Sequence, residues 1–430
     1  MALLLKHGRI VDPQTGIDMV ADMVIRDGRI VEIGPDLTIS KGSTIECAEK
    51  VIVPGLVDVH VHLREPGREY AETIASGTKA AARGGFTGVC SMPNTTPVTD
   101  TGSKVRFIVE RAADQGVVRV HPLGALTKGS AGESLAEIGD MIAEGAVGFT
   151  DDGHPVATAG MMRTCMEYAR GFDAVVASHC EDRTLAGRGV VNEGAVSTRL
   201  GVPGHPAVAE EVQVARDIRL AELTGCRLHL QHLSTARSVE LVREAKGRGV
   251  SVTCEVTPHH LFLDENALTT QYDTNLKMNP PLRTAYDREA LLGAVLDGTV
   301  DCIATDHAPH GAHEKALEFE LAPFGTTGLE TALPLVLTHL LHPGVLDWSG
   351  VIRLMATGPR AVFGLPAVRF EPGAVADITV IDPEARIEVT REWFVSKSAN
   401  SAFLGGTLLG KATDVLVGGE FALRSGKVVG

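Results

Sequence analysis

From Val51 to Phe363 short apolar runs alternate with amphipathic helical segments, and that alternation restricts the fold more than any other feature of the chain. Strand-like runs fall at 55–62, 88–92, 117–123, 145–150, 174–179, 227–232, 251–256 and 301–305. Helical periodicity occupies 72–83, 103–113, 208–223 and 238–248 between them. Eight such runs in about 300 residues predict an α/β chain closed into a (β/α)8 barrel of the TIM type. An open doubly wound sheet is the alternative, but no G-x-G-x-x-G follows a first strand. Gly84-Gly85-Phe-Thr-Gly88 lacks the Lys-Ser/Thr of a phosphate loop and predicts a tight turn.

Both ends of the chain differ from its middle. Leu3 to Val11, Met23 to Ile33, Ala376 to Asp382 and Asp414 to Val429 read as strands with Gly-centred turns, antiparallel in character. The termini are therefore expected to fold together as a small β-sandwich, built from 1–52 and 366–430, with the barrel of 53–365 inserted between them. Lys plus Arg total 40 against 54 Asp plus Glu, so the net charge is -14 and nucleic-acid or anionic membrane partners are disfavoured. The first residues do not read as a signal peptide and no apolar run reaches the roughly 20 residues of a membrane span, so a cytoplasmic protein is expected. Seven cysteines, an odd number with no C-x-x-C, predict buried free thiols.

In a parallel barrel the carboxyl ends of all strands meet at one face, where catalytic side chains collect. Here those ends read Asp58-Val-His60-Val-His62, Thr150-Asp151-Asp152, Ser178-His179, Gln231-His232 and Thr305-Asp306-His307. One strand-end histidine is ordinarily a hydrogen-bonded structural residue; five ends offering imidazole or carboxylate point to a metal centre. Mixed nitrogen and oxygen donors suit Zn2+, whereas an all-oxygen set would suit Mg2+ or Ca2+. In H-x-H the period of two puts His60 and His62 on one side of the strand. Four imidazoles and two carboxylates exceed one tetrahedral site and suit two zinc ions about 3.5–4 Å apart, bridged by a carboxylate and a hydroxide. On strand four, Val147, Phe149 and Asp151 share one parity and Ala146, Gly148, Thr150 and Asp152 the other. On strand one, Val57, Val59 and Val61 oppose Asp58, His60 and His62. If the large apolar residues face outer helices, Asp152 rather than Asp151 points into the site. Arg64, two residues past His62, reads either as a surface salt bridge or as a planar fork suited to bidentate contact with a carboxylate. His121, His205, His229, His259, His260, His339 and His342 read as packing, capping or surface residues, and His307 as pointing away from the site. His154 and His313 stay open.

Val53-Pro-Gly-Leu-Val-Asp58-Val-His60-Val-His62-Leu-Arg64-Glu-Pro-Gly67 resembles the first-strand signature of the amidohydrolase superfamily, and in particular of type I, long-chain dihydroorotases. Ser91-Met-Pro-Asn94-Thr, Phe149-Thr-Asp-Asp152-Gly, Lys277-Met-Asn279-Pro-Pro-Leu-Arg283, Ala304-Thr-Asp306-His-Ala-Pro-His310 and Ala322-Pro-Phe324-Gly325 extend the likeness over nearly the whole chain. The resemblance implies a dihydroorotase of pyrimidine biosynthesis, which interconverts N-carbamoyl-L-aspartate and L-dihydroorotate. His60, His62, Asp152, His179, His232 and Asp306 would be its metal ligands, and Asp306 its acid and base. Asn94 and His310 would join Arg64 on the carboxylate, while Asn279 and the Phe324-Gly325 backbone would hold the ring amides. Hydantoinases and allantoinases share the barrel and H-x-H but typically bridge their metals with a carboxylated lysine at strand four, and this chain has no lysine between Lys128 and Lys246. A non-catalytic dihydroorotase-like partner of aspartate carbamoyltransferase would lack the ligands present here. A homodimer stays open, and association with aspartate carbamoyltransferase is implied by resemblance alone; no motif supports either.

Overall fold

The computed structural model describes residues 2–429. Eight parallel strands succeed one another around the barrel in chain order: Leu56–Val61, Phe86–Ser91, Arg119–Gly124, Gly148–Phe149, Val175–Ser178, Arg227–Leu230, Val252–Val256 and Cys302–Ile303. They are numbered one to eight below. A bridge between Val61 and His307 joins the last strand to the first, with the His62 amide donating to the His307 carbonyl at 2.9 Å. The Asp58 carboxylate braces this seam by accepting from the His60 and Thr305 amides at 3.0 and 3.1 Å. Helices such as Ile74–Arg83, Gly102–Gln115, Val208–Thr224 and Ala236–Gly247 cover the outside. The first is fixed at its start by a capping box between Thr73 and Ser76, which satisfies two amide donors with no intrahelical partner.

Strand ends explain the two shortest strands. Strands four and eight keep only two residues of regular pairing each, because the chain turns out of the sheet where it delivers Asp152 and Asp306. His232, Asp306 and Arg64 have φ of 33°, 47° and 60°, a left-handed backbone that costs a residue with a Cβ about 1–3 kcal/mol and clusters at functional sites.

Strand one departs from simple alternation. Its pairing with strand two shifts between Asp58 and Val61, and Val57 and Val59 join Cys90, Leu123, Ala177, Cys302 and Ala304 in one apolar cluster rather than opposing them from outside. An inserted residue resets parity before the histidines, which the period of two could not anticipate. Phe363, from the last helix (Gly358–Phe363), packs edge-on to His229 in the same cluster.

The termini meet in one nine-stranded sheet with its own apolar core around Leu5, Ile10, Met23, Ile52, Ile378 and Leu416. Strands Ala2–Asp12, Ile17–Arg26 and Arg29–Gly34 form an antiparallel meander, as do Ile378–Glu388, Thr407–Val417 and Glu420–Arg424. The sheet is mixed: Ala2–Asp12 runs parallel to both Gly42–Glu46 and Val51–Pro54, and the latter pairs with Ile378 onward. At the barrel side Gly85 holds a φ of 94° and its carbonyl accepts from Thr379 Oγ1 at 2.7 Å, so the glycine turn ties strand two to the terminal sheet. All seven cysteines are buried and unpaired. Among the described residues no helix is long and apolar enough to cross a membrane.

Candidate metal centre

At the carboxyl face of the barrel, four imidazoles and two carboxylates crowd together. His60 Nε2 lies 3.5 Å from Asp152 Oδ1 and 3.5 Å from Asp306 Oδ1. His62 Nε2 lies 2.9 Å from Asp306 Oδ1 and 3.6 Å from Asp152 Oδ2. On the other side of Asp152, His179 Nδ1 and His232 Nε2 each sit 3.7 Å from Oδ1 and 2.9 Å from one another. Asp152 is thus common to both halves. Asp151 points the other way, accepting from the Leu126 and Thr127 amides at 2.8 and 3.1 Å and from the Thr127 hydroxyl.

The tautomers follow from the outer partners. Carboxylates only accept, so His60 Nδ1 donates to Glu255 Oε1 at 2.6 Å and its Nε2 lone pair faces the cluster. His62 Nδ1 donates to Asn94 Oδ1 at 2.9 Å, and its Nε2 stands 2.9 Å from Asp306 Oδ1, a contact that needs a proton or a cation between nitrogen and carboxylate. His60 Nε2 is buried with no hydrogen-bond partner. Lone pairs and carboxylate oxygens converging in a buried space repel unless a cation lies among them, and the donor set of imidazole plus carboxylate is what zinc-type ions accept. His60, His62 and Asp306 form one group able to hold an ion, and His60, Asp152 and His232 another. The residues therefore fit a metal.

Without a cation, protons on the imidazoles supply the compensating charge. Burial opposes ionisation of Asp306 and Asp152, yet the surrounding histidines hold both carboxyls well below the usual carboxylate range. His60 is driven well above its ordinary value by Glu255 and Asp152 despite its burial, while burial and Arg64 lower His62.

A cavity of about 730 Å³ opens over the cluster, lined among others by Arg64, Asn94, Asn279, His310, Phe324 and Gly325. Arg64 is buried and its Nε donates to the Pro309 carbonyl at 3.1 Å. His310 Nε2 donates to the Phe324 carbonyl at 2.7 Å and so cannot also accept from Arg64 Nη2, 3.4 Å away. Burial lowers the guanidinium to about 10, and no carboxylate pairs with it among the described residues. Asn94 is engaged at both amide ends, its Nδ2 donating to Asp152 Oδ2 at 3.2 Å, so it orients ligands as well as lining the cavity. Asn279 Nδ2 donates to Glu181 Oε2 at 3.3 Å. At Gly325 φ is 130°, and a Cβ would come within 2.7 Å of Ala308 Cβ and 3.0 Å of His310 Nε2; only glycine fits.

Two carboxylates escaped the reading of strand ends. Glu255, the penultimate residue of the seventh strand, holds His60, the His232 amide at 3.1 Å and His229 Nε2 at 3.1 Å. Glu181 holds His205 Nε2 at 3.2 Å and approaches His179 Nε2 at 3.4 Å. A glutamate inside the apolar run Val252-Thr-Cys-Glu-Val was the available signal, since a buried carboxylate needs a partner. His229 has a supporting place in the barrel, with Nδ1 accepting from Thr253 Oγ1 at 2.9 Å. His307 points away from the cluster, its Nε2 3.3 Å from Glu72.

Comparison with known proteins follows the same line. A dihydro-orotase-like family model matches residues 49–238. A curated dihydroorotase of Pelotomaculum thermopropionicum is 51% identical over 424 residues, 99% of each chain, and one of Syntrophotalea carbinolica is 49% identical over 99% of each. In three dimensions the chain superposes on the L-hydantoinase (dihydropyrimidinase) of Arthrobacter aurescens with a TM-score of 0.89, covering 100% of this chain and 97% of that one at 24% identity, a likeness of fold.

Proposed function

The chain belongs to the dihydroorotase family, and from that premise we propose how its own residues carry the reaction. It is a hydrolase that interconverts L-dihydroorotate and N-carbamoyl-L-aspartate, the cyclic amide and ureido acid of pyrimidine synthesis. The observation that carries the reading is a buried guanidinium with no carboxylate partner, Arg64, facing the same cavity as the histidine–carboxylate cluster. A buried cation awaits an anion, and both substrate forms bring a carboxylate that takes no part in bond breaking.

His60, His62 and Asp306 would hold one ion and His179 and His232 the other, with Asp152 shared; we assign zinc at both positions. Such ions, when bound, supply a water that ionises near neutral pH and a Lewis acid for the amide carbonyl. Asp306 takes up a proton in hydrolysis and delivers it to the departing ring nitrogen; in cyclisation it removes a ureido proton. Its flanking imidazoles keep it ionised through the neutral range, which is the state a base requires. Arg64 binds the carboxylate with His310 and Asn94 beside it, while Asn279 and the Phe324-Gly325 backbone meet the ring amides. Support for these roles is the shared cavity.

The division into 1–52, 53–365 and 366–430, a cytoplasmic location, a homodimer and association with aspartate carbamoyltransferase belong to the same proposal. The metal-loaded protein is tested with L-dihydroorotate and with hydantoin. Turnover of dihydroorotate exceeding that of hydantoin is expected, and a preference for hydantoin would overturn the reading.

A further inference from the structure

Lys277 ends the segment before Asn279, and its side chain is almost wholly buried. An ammonium carries three N–H donors, and here all three find backbone carbonyls: Phe319 at 2.8 Å, Glu320 at 2.9 Å and Ala322 at 2.7 Å. Its Nζ also lies 4.6 Å from the Phe324 ring centroid and 5.7 Å from that of Phe319. The Lys277 carbonyl in turn accepts from the Gly325 amide at 2.8 Å. A second buried lysine, Lys315, donates to the Pro323 carbonyl at 2.9 Å. Neither ammonium makes an ion pair among the described residues, so two cations are held by the carbonyl dipoles of one short segment, 319–323. Desolvation draws them down to about 8 and about 7, and at Lys315 repulsion from the Lys277 ammonium adds to it.

The segment they hold forms one wall of the catalytic cavity, contributing Glu320, Leu321, Phe324 and Gly325. Phe319 and Ala322 are buried, Phe319 in a small apolar cluster against which Phe324 packs, whereas Leu321 is 69% exposed, so apolar burial anchors the wall at only some of its residues. Its backbone between those points is gathered by the tripod at Lys277, because three carbonyls converging on one point match an ammonium and no planar or apolar side chain.

We propose that Lys277 is a positioning residue for the reaction: its ammonium locks 319–325 so that the Phe324-Gly325 backbone stands ready for the ring amides of the substrate. The inference rests on the reading above that this backbone meets the substrate. Removing the lock makes the wall order itself at the cost of binding affinity, while the chemistry at the cluster is left intact.

The test compares metal-loaded wild type with Lys277→Met, Lys315→Met and Gly325→Ala in steady-state hydrolysis of L-dihydroorotate, with metal content and limited proteolysis of 317–325 measured in parallel. Lys277→Met is expected to raise KM about 10-fold or more, the loss of one good positioning contact, with kcat within about 3-fold. Metal content should be unchanged and cleavage in 317–325 faster. Lys315→Met, which loses one carbonyl contact, should show a smaller rise in KM with the same split, and decides the matter if Lys277→Met does not fold. An unchanged KM in the lysine variants while Gly325→Ala raises it refutes the lock but leaves the substrate contact standing. An unchanged KM in all three overturns both, and an equal fall of kcat and metal content in Lys277→Met shows a merely structural lysine.

Discussion

Replacing Glu255 by glutamine probes the support beneath the metal centre without altering its shape. Glu255 is fully buried and serves three donors at once: His60 Nδ1 at 2.6 Å, the His232 amide at 3.1 Å and His229 Nε2 at 3.1 Å. A glutamine keeps one acceptor oxygen, which can stay on His60 and the His232 amide. Its new NH2 then faces His229, whose ring can exchange tautomers because Thr253 Oγ1 on the other nitrogen is able to accept as well as donate. Little hydrogen bonding is therefore lost, and what disappears is the negative charge that makes His60 a stronger ligand. Losing such outer support costs about 10- to 100-fold in metal affinity, or about 1.4–2.8 kcal/mol. Competition with a chelator on the purified protein measures it. In the metal-free protein, burial disfavours the charged carboxyl, but His60 and His229 bring it from 4.5 to about 2. That depressed value contributes stability above pH 4.5 which is lost as pH falls toward 2, and Glu255→Gln should flatten this dependence in thermal melts. Metal affinity equal to wild type, with an unchanged acid limb, would refute the reasoning.

Three further substitutions separate the parts of the site. Asp152→Asn should release metal and abolish turnover, whereas Asp151→Asn should cost about 1–3 kcal/mol of stability, read by urea unfolding, with activity per folded molecule retained. Arg64→Lys should raise KM for L-dihydroorotate about 10- to 100-fold, since an ammonium cannot reproduce two parallel charge-assisted bonds; an unchanged KM excludes the carboxylate contact. Asp306→Asn should lower both directions of the reaction by at least about 10²-fold. In the wild type, hydrolysis should fall on acidification and cyclisation on alkalinisation, as paired pH–rate profiles would record.

Much of this was legible in the chain because a parallel barrel converts strand ends into a common face. His60, His62, Asp152, His179, His232 and Asp306 each stand at such an end, and reading ends required no knowledge of pairing. In the structure Asp152 faces the histidines and Asp151 does not, but the parity argument behind that choice fails at Val147, which packs with Val57 and Val59 against the interior cluster instead of outside. The same device misread Val57 and Val59, because a bulge is invisible to a period of two. His232 follows Gln231 directly, and both reach the barrel interior only through the left-handed backbone at His232, a conformation that no composition rule announces. Glu255 and Glu181 lay hidden for another reason: their partners are 195 residues away for His60 and 24 for His205, so their worth depends on tertiary contacts. The terminal sheet was readable as strands, but not its parallel pairing of Ala2–Asp12 with Gly42–Glu46 and Val51–Pro54, because register between distant segments leaves no local trace.

The central claim, that one shared carboxylate joins two ligand sets into a binuclear centre, is tested most directly by the anomalous scattering of crystals grown with zinc. Two peaks about 3.5–4 Å apart are expected, one among His60, His62 and Asp306 and one beside His179 and His232, with Asp152 touching both. A single peak, or two peaks neither of which contacts Asp152, would contradict the account.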